Sequence, residues 1–383
     1  MPLRKLLLNT KKYSLHINTE SDSCVNQLAD APNQQVIFEN NSFKKLTDFL
    51  KTKPDHKVLL IVDFNTGEYC LPLIADILKS NFIGKPILFE AGEDSKSLTN
   101  AAIIWSKLLS YNADRNTIIV NLGGGMICDL GAFAASTFKR GIPFINIPTS
   151  LMAMTDAAIG GKSAINFEHY KNQIGTFYFP ELVYINTLFL KTLPDSEILS
   201  GFAEVIKYSL IADLNLWEKI SKFTNIDDIR NEFSEIIKCC VKLKLAITGN
   251  DPLEKSIRKV LNAGHTIGHA IESMYIENNK FVSHGYAVAH GLIAECFLSA
   301  IENNLAYETY YEIKNYILKL YPETKFNQSD INQLLQFMLA DKKNKDSQIG
   351  FTFIKNIGSA KINCYLTQER LLNHLNKYFY EKN

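Results

Sequence analysis

Short apolar runs recur through the first half of the chain, each followed by a stretch with helical spacing. Lys57–Asp63 (VLLIVD after a lysine), Lys85–Glu90, Asn116–Leu122 and Phe144–Ile147, cut by Pro148, read as strands. Leu71–Lys79 and Leu98–Leu109 read as the helices between them. Continuous apolar strands alternating with helices predict a parallel sheet covered on both faces. From about residue 195 the apolar positions take the helical period of about 3.6. Glu197–Leu210, Asn225–Thr248, Lys259–Met274, Tyr286–Asn303, Tyr307–Leu320 and Gln328–Leu339 all follow it. Two late strands, Ile349–Ile354 and Ala360–Tyr365, flank Gly358, and two early ones are expected at Lys5–Asn9 and Tyr13–Ile17. The expected fold class is α/β plus all-α: an N-terminal parallel-sheet domain over residues 1–190 and a mostly helical domain over 191–383, with a small-molecule site in the cleft between them.

Composition narrows the function classes. The 383 residues are 46% hydrophobic and 21% charged, which is globular, and the length suits two cores rather than one. A formal net charge of +1 provides no long-range field for nucleic acid or an anionic membrane. No apolar run reaches the roughly 20 residues that span a bilayer, and Leu6-Leu7-Leu8 is too short for a signal-peptide core. Seven scattered cysteines with no CxxC pair fit a reducing cytoplasm without disulfides.

Four groups of residues carry candidate chemistry. Gly123-Gly124-Gly125 follows a strand and precedes a helix-like segment, Ile127–Thr137, with Asp129 in its first turn. Glycines let a phosphate approach the backbone, and a helix N-terminus offers N–H groups. Cys128 stands where the dinucleotide fingerprint has its third glycine, so a tight turn and a nucleotide site are both open readings. A second group runs from Pro148-Thr149-Ser150 through Asp156 to Gly160-Gly161-Lys162, then Lys171-Asn172. Lysine is a point charge suited to phosphate, although a lone loop lysine is commonly just solvated. In the third group His265 and His269 stand four apart on one helix face, His284 follows, and Glu204 lies three residues before Lys207. Three histidines and a carboxylate suit zinc or a similar metal, but HxxxH pairs also occur as surface or core histidines. Thr266 after the first histidine excludes the HExxH protease arrangement. The fourth group is Lys244, Arg258 and Asn262, with Arg258 and Asn262 expected on the helix face of His265 and His269. It reads either as a carboxylate or phosphate clamp or as an exposed basic face.

Taken in order, GGGMICDLGAFAASTFKRG, IPTSLMAMTDAAIGGKSAIN, KNQIG, FLKTLP, SGFAEVIK, RKVLNAGHTIGHAIE, HGYAVAHG and DKKN resemble the 3-dehydroquinate synthase family, from about Val58 to Ala360. The resemblance implies a Rossmann-like N-terminal domain, a helical metal-binding C-terminal domain and catalytic NAD. It implies NAD contacts at Asp63, Glu93, Lys96, Gly124, Gly125, Asp129, Thr149, Ser150, Lys162, Lys171, Phe189 and Thr192. It implies Glu204, His265 and His284 as ligands of Zn2+ or Co2+, with His269 as a proton relay. Lys162, Asn172 and Lys342 (or Lys343) would hold a substrate phosphate. Lys244, Arg258 and Asn262 would grip a carboxylate, and Asp156, Lys171 and Lys207 would line the site. Arg140 matches an arginine lent to a neighbouring subunit, hence an expected homodimer. Cys128, Thr155 and a longer His269–His284 gap depart from the pattern, and none removes a catalytic side chain.

The implied reaction turns 3-deoxy-D-arabino-heptulosonate 7-phosphate into 3-dehydroquinate and phosphate. Transient oxidation acidifies a C–H, phosphate leaves, the ketone is reduced again and the ring closes by an aldol step. NAD is regenerated. Three other readings compete. A cyclase for an inosose or valiolone would not need the Arg258–Asn262 pair. A metal-dependent polyol dehydrogenase would lack the phosphate-binding lysines. A catalytically dead binding domain would have lost a site residue.

Overall fold

The computed structural model describes residues 23–25, 34–168, 170–323, 326–339, 344 and 348–380. The strands expected at Lys5–Asn9 and Tyr13–Ile17 lie outside these, as do Lys342 and Lys343. The chain divides into two compact units. One holds the described residues within Lys11–Glu197 together with Lys244–Leu253; the other holds Ile198–Leu243 and Glu254–Asn383.

The first unit is built on a seven-stranded sheet. Its strands are β1 (Ser23–Val25), β2 (Gln35–Glu39), β3 (Val58–Asp63), β4 (Ile87–Phe89), β5 (Ile118–Gly123), β6 (Phe144–Pro148) and β9 (Leu182–Asn186), in the order β1-β2-β9-β6-β5-β3-β4. Only the β1–β2 pair is antiparallel; the other pairings are parallel. Strands β3, β5, β6 and β9 are buried along their whole length, as continuous apolar strands covered on both faces must be. The chain steps from β3 outward to β4 and returns to β5 on the other side of β3. The order therefore reverses between β3 and β5, and ligands of open α/β sheets bind beyond the strand ends at such a switch point. Helices α1 (Leu98–Ser110) and α2 (Gly125–Thr137) pack Ile104, Leu108, Ile127 and Leu130 into one core with Leu59, Ile61 and Ile119.

Several local expectations are corrected. Leu71–Lys79 is not one helix: Leu71–Leu73 is a 3-10 turn, Ile74 leaves the helical backbone with φ −129° and ψ 1°, and Ala75–Leu78 makes one further turn. Helix α2 starts at Gly125, so Asp129 lies beyond its first turn. Lys162, Lys171 and Asn172 are not on a loop but on an antiparallel hairpin, β7 (Lys162–Phe167) and β8 (Tyr170–Phe177).

In the second unit α3 (Asp195–Ala212, from Ile198 on), two short helices (Leu214–Ile220 and Ile226–Asn231) and the first part of α4 (Phe233–Asn250) join the longer α5 (His265–Glu277), α6 (His284–Asn303), α7 (Tyr307–Leu320), α8 (Gln328–Leu339) and α9 (Gln368–Tyr380). A hairpin of β10 (Ile349–Asn356) and β11 (Ser359–Leu366) completes it. Asn225–Thr248 is two helices, the first being the short Ile226–Asn231. Lys259–Met274 is also broken. A 3-10 turn, Ile257–Asn262, ends before Gly264, which takes the left-handed φ of 76°. A Cβ on Gly264 would stand 2.6 Å from Leu292 Cγ, so glycine alone fits there. Arg258 and Asn262 consequently do not continue the helix face of His265 and His269.

Candidate functional site

In the first unit the carboxyl ends of β3 and β5 carry Asp63 and Gly123. Asp63 caps the next helical turn, its Oδ1 accepting from Thr66 N at 2.9 Å. Thr149 N donates to Gly123 O at 3.0 Å, and Ser150 Oγ accepts from Ala153 N at 3.3 Å. A Cβ on Gly124 would lie 3.5 Å from that Ser150 Oγ, and one on Gly125 3.3 Å from Ala157 Cβ. The close helix-to-strand approach that a third glycine usually allows is made at Gly131, where a Cβ would fall 1.7 Å from Asn121 Oδ1. Cys128 is simply buried beside Gly123 O. Thr155 is buried too, its hydroxyl donating to Leu151 O at 2.9 Å.

Lys96 joins several of the expected residues. Only 3% exposed, it donates to Asp129 Oδ2 at 2.6 Å and to Asn172 Oδ1 at 2.5 Å, and lies 3.5 Å from Glu93 Oε1. Burial works against its charge, but Asp129 and Glu93 outweigh that and raise its pKa. Burial pushes Asp129 up from the usual carboxylate value, and Lys96 opposes the rise. Asn166 ties the same group together: it donates to Glu93 O and accepts from Asn172 N at 3.1 Å. Asn172 holds a left-handed φ of 55°.

Asp156 sits in a π-helical turn, Ala153–Ala157, and accepts from the buried Lys244 Nζ at 2.9 Å. Such turns re-aim side chains and recur at functional sites. Lys162 is exposed at the start of β7, and Lys171 is half-buried on β8. Phe189 packs its ring on Phe43, leaving Thr192 as the exposed side chain of that pair. Arg140 lies in an exposed turn with φ of 68°, next to Lys139 at 49°.

The second unit brings the metal-type residues together. Glu204 on α3 is 1% exposed. Its Oε1 lies 3.3 Å from His265 Nε2 and 3.5 Å from His284 Nε2, and its Oε2 is paired with Lys207. His265 Nδ1 lies 3.0 Å from Ala263 O, which can only accept, so Nδ1 carries the proton and the lone pair of Nε2 faces Glu204. Burial would raise Glu204, but Lys207 and His265 outweigh it and hold the carboxyl well below its usual range. Burial draws His265 down against the pull of Glu204. Burial also acts against charge on His284, yet Glu272 and Glu204 prevail and lift it to about 10.

Ligands about 2.0–2.1 Å from a tetrahedral zinc stand roughly 3.3 Å apart, close to both Glu204 spacings. Three protein donors and an open fourth position are the arrangement of a catalytic metal. His269 adjoins this group, its ring centroid 5.2 Å from that of His265 and 5.9 Å from that of His284. Arg258 is fully buried in its 3-10 turn, and Asn262 Nδ2 donates to Glu254 Oε1 at 3.2 Å.

The family description "3-dehydroquinate synthase N-terminal" matches residues 86–200, and "3-dehydroquinate synthase C-terminal" matches residues 201–344. A 3-dehydroquinate synthase of Parabacteroides distasonis is 42% identical over 347 residues, 90% of this chain and 98% of that one. The chain belongs to the 3-dehydroquinate synthase family. Another 3-dehydroquinate synthase, from Thermoanaerobacter pseudethanolicus, is 35% identical over 88% of this chain and 95% of its own. Solved structures share the fold at 20% identity. A 2-deoxy-scyllo-inosose synthase complexed with carbaglucose-6-phosphate, NAD+ and Co2+ superposes with a TM-score of 0.78 over 91% of this chain and 98% of its own. A 2-epi-5-epi-valiolone synthase of Streptomyces hygroscopicus with NAD+ and Zn2+ bound gives 0.79 over 92% and 98%. The expected architecture, a Rossmann-like N-terminal domain and a helical C-terminal one, is the fold of these two synthases.

Three residues of this member of the 3-dehydroquinate synthase family escaped the reading of its sequence. Glu272, which meets His284, shares a helix face with His265 and His269, and that spacing could have flagged it. Glu295 reaches the start of α5 from α6, and Asn166 links the hairpin to Glu93; neither has a local signal. No described helix is long and apolar enough to cross a membrane.

Proposed function

We propose that this chain converts 3-deoxy-D-arabino-heptulosonate 7-phosphate into 3-dehydroquinate and phosphate, using NAD catalytically and one divalent metal, Zn2+ or Co2+. The observation that carries this reading is the match to the P. distasonis 3-dehydroquinate synthase over 98% of that protein's length. When bound, the metal supplies Lewis acidity to a substrate hydroxyl and NAD accepts and returns a hydride, ending unchanged.

Glu204, His265 and His284 would hold the metal. Lys207 keeps Glu204 ionised without itself occupying a ligand position. Asp63, Gly124, Gly125, Asp129, Thr149 and Ser150, at the switch point of the sheet, would cradle NAD, with Glu93, Lys96, Phe189 and Thr192 completing its contacts. Lys162, Asn172 and Lys342 (or Lys343) would hold the substrate phosphate, a dianion that departs with the electrons of its C–O bond, and Lys171 would line the site. Lys244, Arg258 and Asn262 would grip the carboxylate, so that binding at both ends selects the reacting conformer. Asp156, paired with Lys244, and His269 would move protons. Arg140 would serve a neighbouring subunit in a homodimer, and the enzyme would work in the cytoplasm as a lyase.

The test is substrate choice. The purified protein, given NAD and zinc, should turn over the carboxylated heptulosonate phosphate and leave glucose 6-phosphate untouched. Turnover of glucose 6-phosphate alone would overturn the reading.

A further inference from the structure

His284 is the first residue of α6, and its side chain is 29% exposed against 12% for His265. Packing therefore restrains this imidazole less. What fixes its rotation is a carboxylate: Glu272 Oε2 lies 3.1 Å from His284 Nδ1. Glu272 is on α5, 4% exposed, and its position is set by the rigid helix that also carries His265. An ionised carboxylate only accepts, so the Nδ1 proton points to Glu272 and Nε2 is turned toward Glu204. His265 obtains the same orientation from a backbone carbonyl, that of Ala263.

We infer that Glu272 is a positioning residue for the metal centre, orienting His284 and increasing the basicity of its Nε2. The inference rests on the metal reading above. The groups His269, Glu272 and His284 also lie close enough to hold an ion of their own. Such an ion would take Nδ1 and displace the 3.1 Å contact with Glu272, so the number of zinc equivalents bound separates the two arrangements. Carboxylates that orient a metal-bound histidine are worth roughly 10- to 100-fold in metal affinity.

The experiment compares wild type, E272Q, E272L and E204Q as full chains stripped with a chelator. Zinc affinity is read by competition with a chromophoric chelator, and Co2+ is followed by its visible absorption. Metal-free melting and NAD binding report folding. The expected result is one tight equivalent in wild type, roughly 10- to 100-fold weaker zinc binding in E272L, a smaller loss in E272Q and altered Co2+ bands in both. If E272L does not fold, the near-isosteric E272Q carries the comparison. Wild-type affinity and bands in both Glu272 variants, with E204Q defective, would overturn this inference alone. Wild-type affinity in E204Q would overturn the metal reading itself. A second zinc equivalent lost specifically in E272L would make Glu272 a ligand and also overturn the inference.

Discussion

Lys96 donates to Asp129 across 2.6 Å with only 4% of its side chain exposed. Removing one partner of such a pair strands the other's charge. K96M should lower stability by about 3 kcal/mol, the low end of the range because Asp129 keeps 20% of its surface. The double variant K96M/D129N should recover part of that loss. Urea unfolding of the three proteins checks it; a K96M curve identical to wild type would contradict the buried pair.

His284 holds a second proton, on Nε2, up to about pH 10 in the metal-free protein, while Glu204 stays ionised and His265 stays neutral. Metal uptake must therefore expel that proton. Near pH 8 about one proton should be released per zinc, and affinity should rise roughly tenfold per pH unit before levelling off near pH 10. The same raised pKa stabilises the metal-free fold fully below the ordinary histidine value of 6.5, and this contribution is lost as pH rises through about 10. Calorimetry in buffers of different ionisation heat counts the protons; none released at pH 8 would contradict the assignment.

Glu295 is 2% exposed and accepts from Gly264 N at 2.7 Å, Thr266 N at 3.0 Å and Ile267 N at 3.2 Å. It thus satisfies the open N–H groups of the helix that carries His265 and His269. E295A should cost roughly 3 kcal/mol or more and weaken zinc binding as that helix end loosens. E295Q should lose less. Thermal melting with a zinc titration reads both effects, and an unchanged melting temperature in E295A would contradict the capping role.

The two-part architecture was legible because its periodicities are long and uninterrupted. Gln328–Leu339 and Tyr307–Leu320 appear with the expected bounds. The grouping of Glu204, His265 and His284 was legible in part because His265 and His269 share one helix and Glu204 and Lys207 another. Misreadings fell where one backbone position overrides a pattern. Gly264 breaks Lys259–Met274 and separates Arg258 and Asn262 from the histidine face. The π-helical turn under Asp156 and the hairpin under Lys162 and Asn172 have no apolar period to betray them. Links such as Lys96 to Asn172, 76 residues apart, exist only once the sheet has formed.

Phosphate release from 3-deoxy-D-arabino-heptulosonate 7-phosphate tests the central claim most directly. The purified protein would be supplied with NAD and zinc or cobalt, with NADH absorbance followed in the same cuvette. The account predicts stoichiometric phosphate and 3-dehydroquinate with no net NADH, the product confirmed by enzymatic dehydration to an ultraviolet-absorbing enone. Net NADH formation without phosphate, or no phosphate from a protein that binds both NAD and metal, would contradict it.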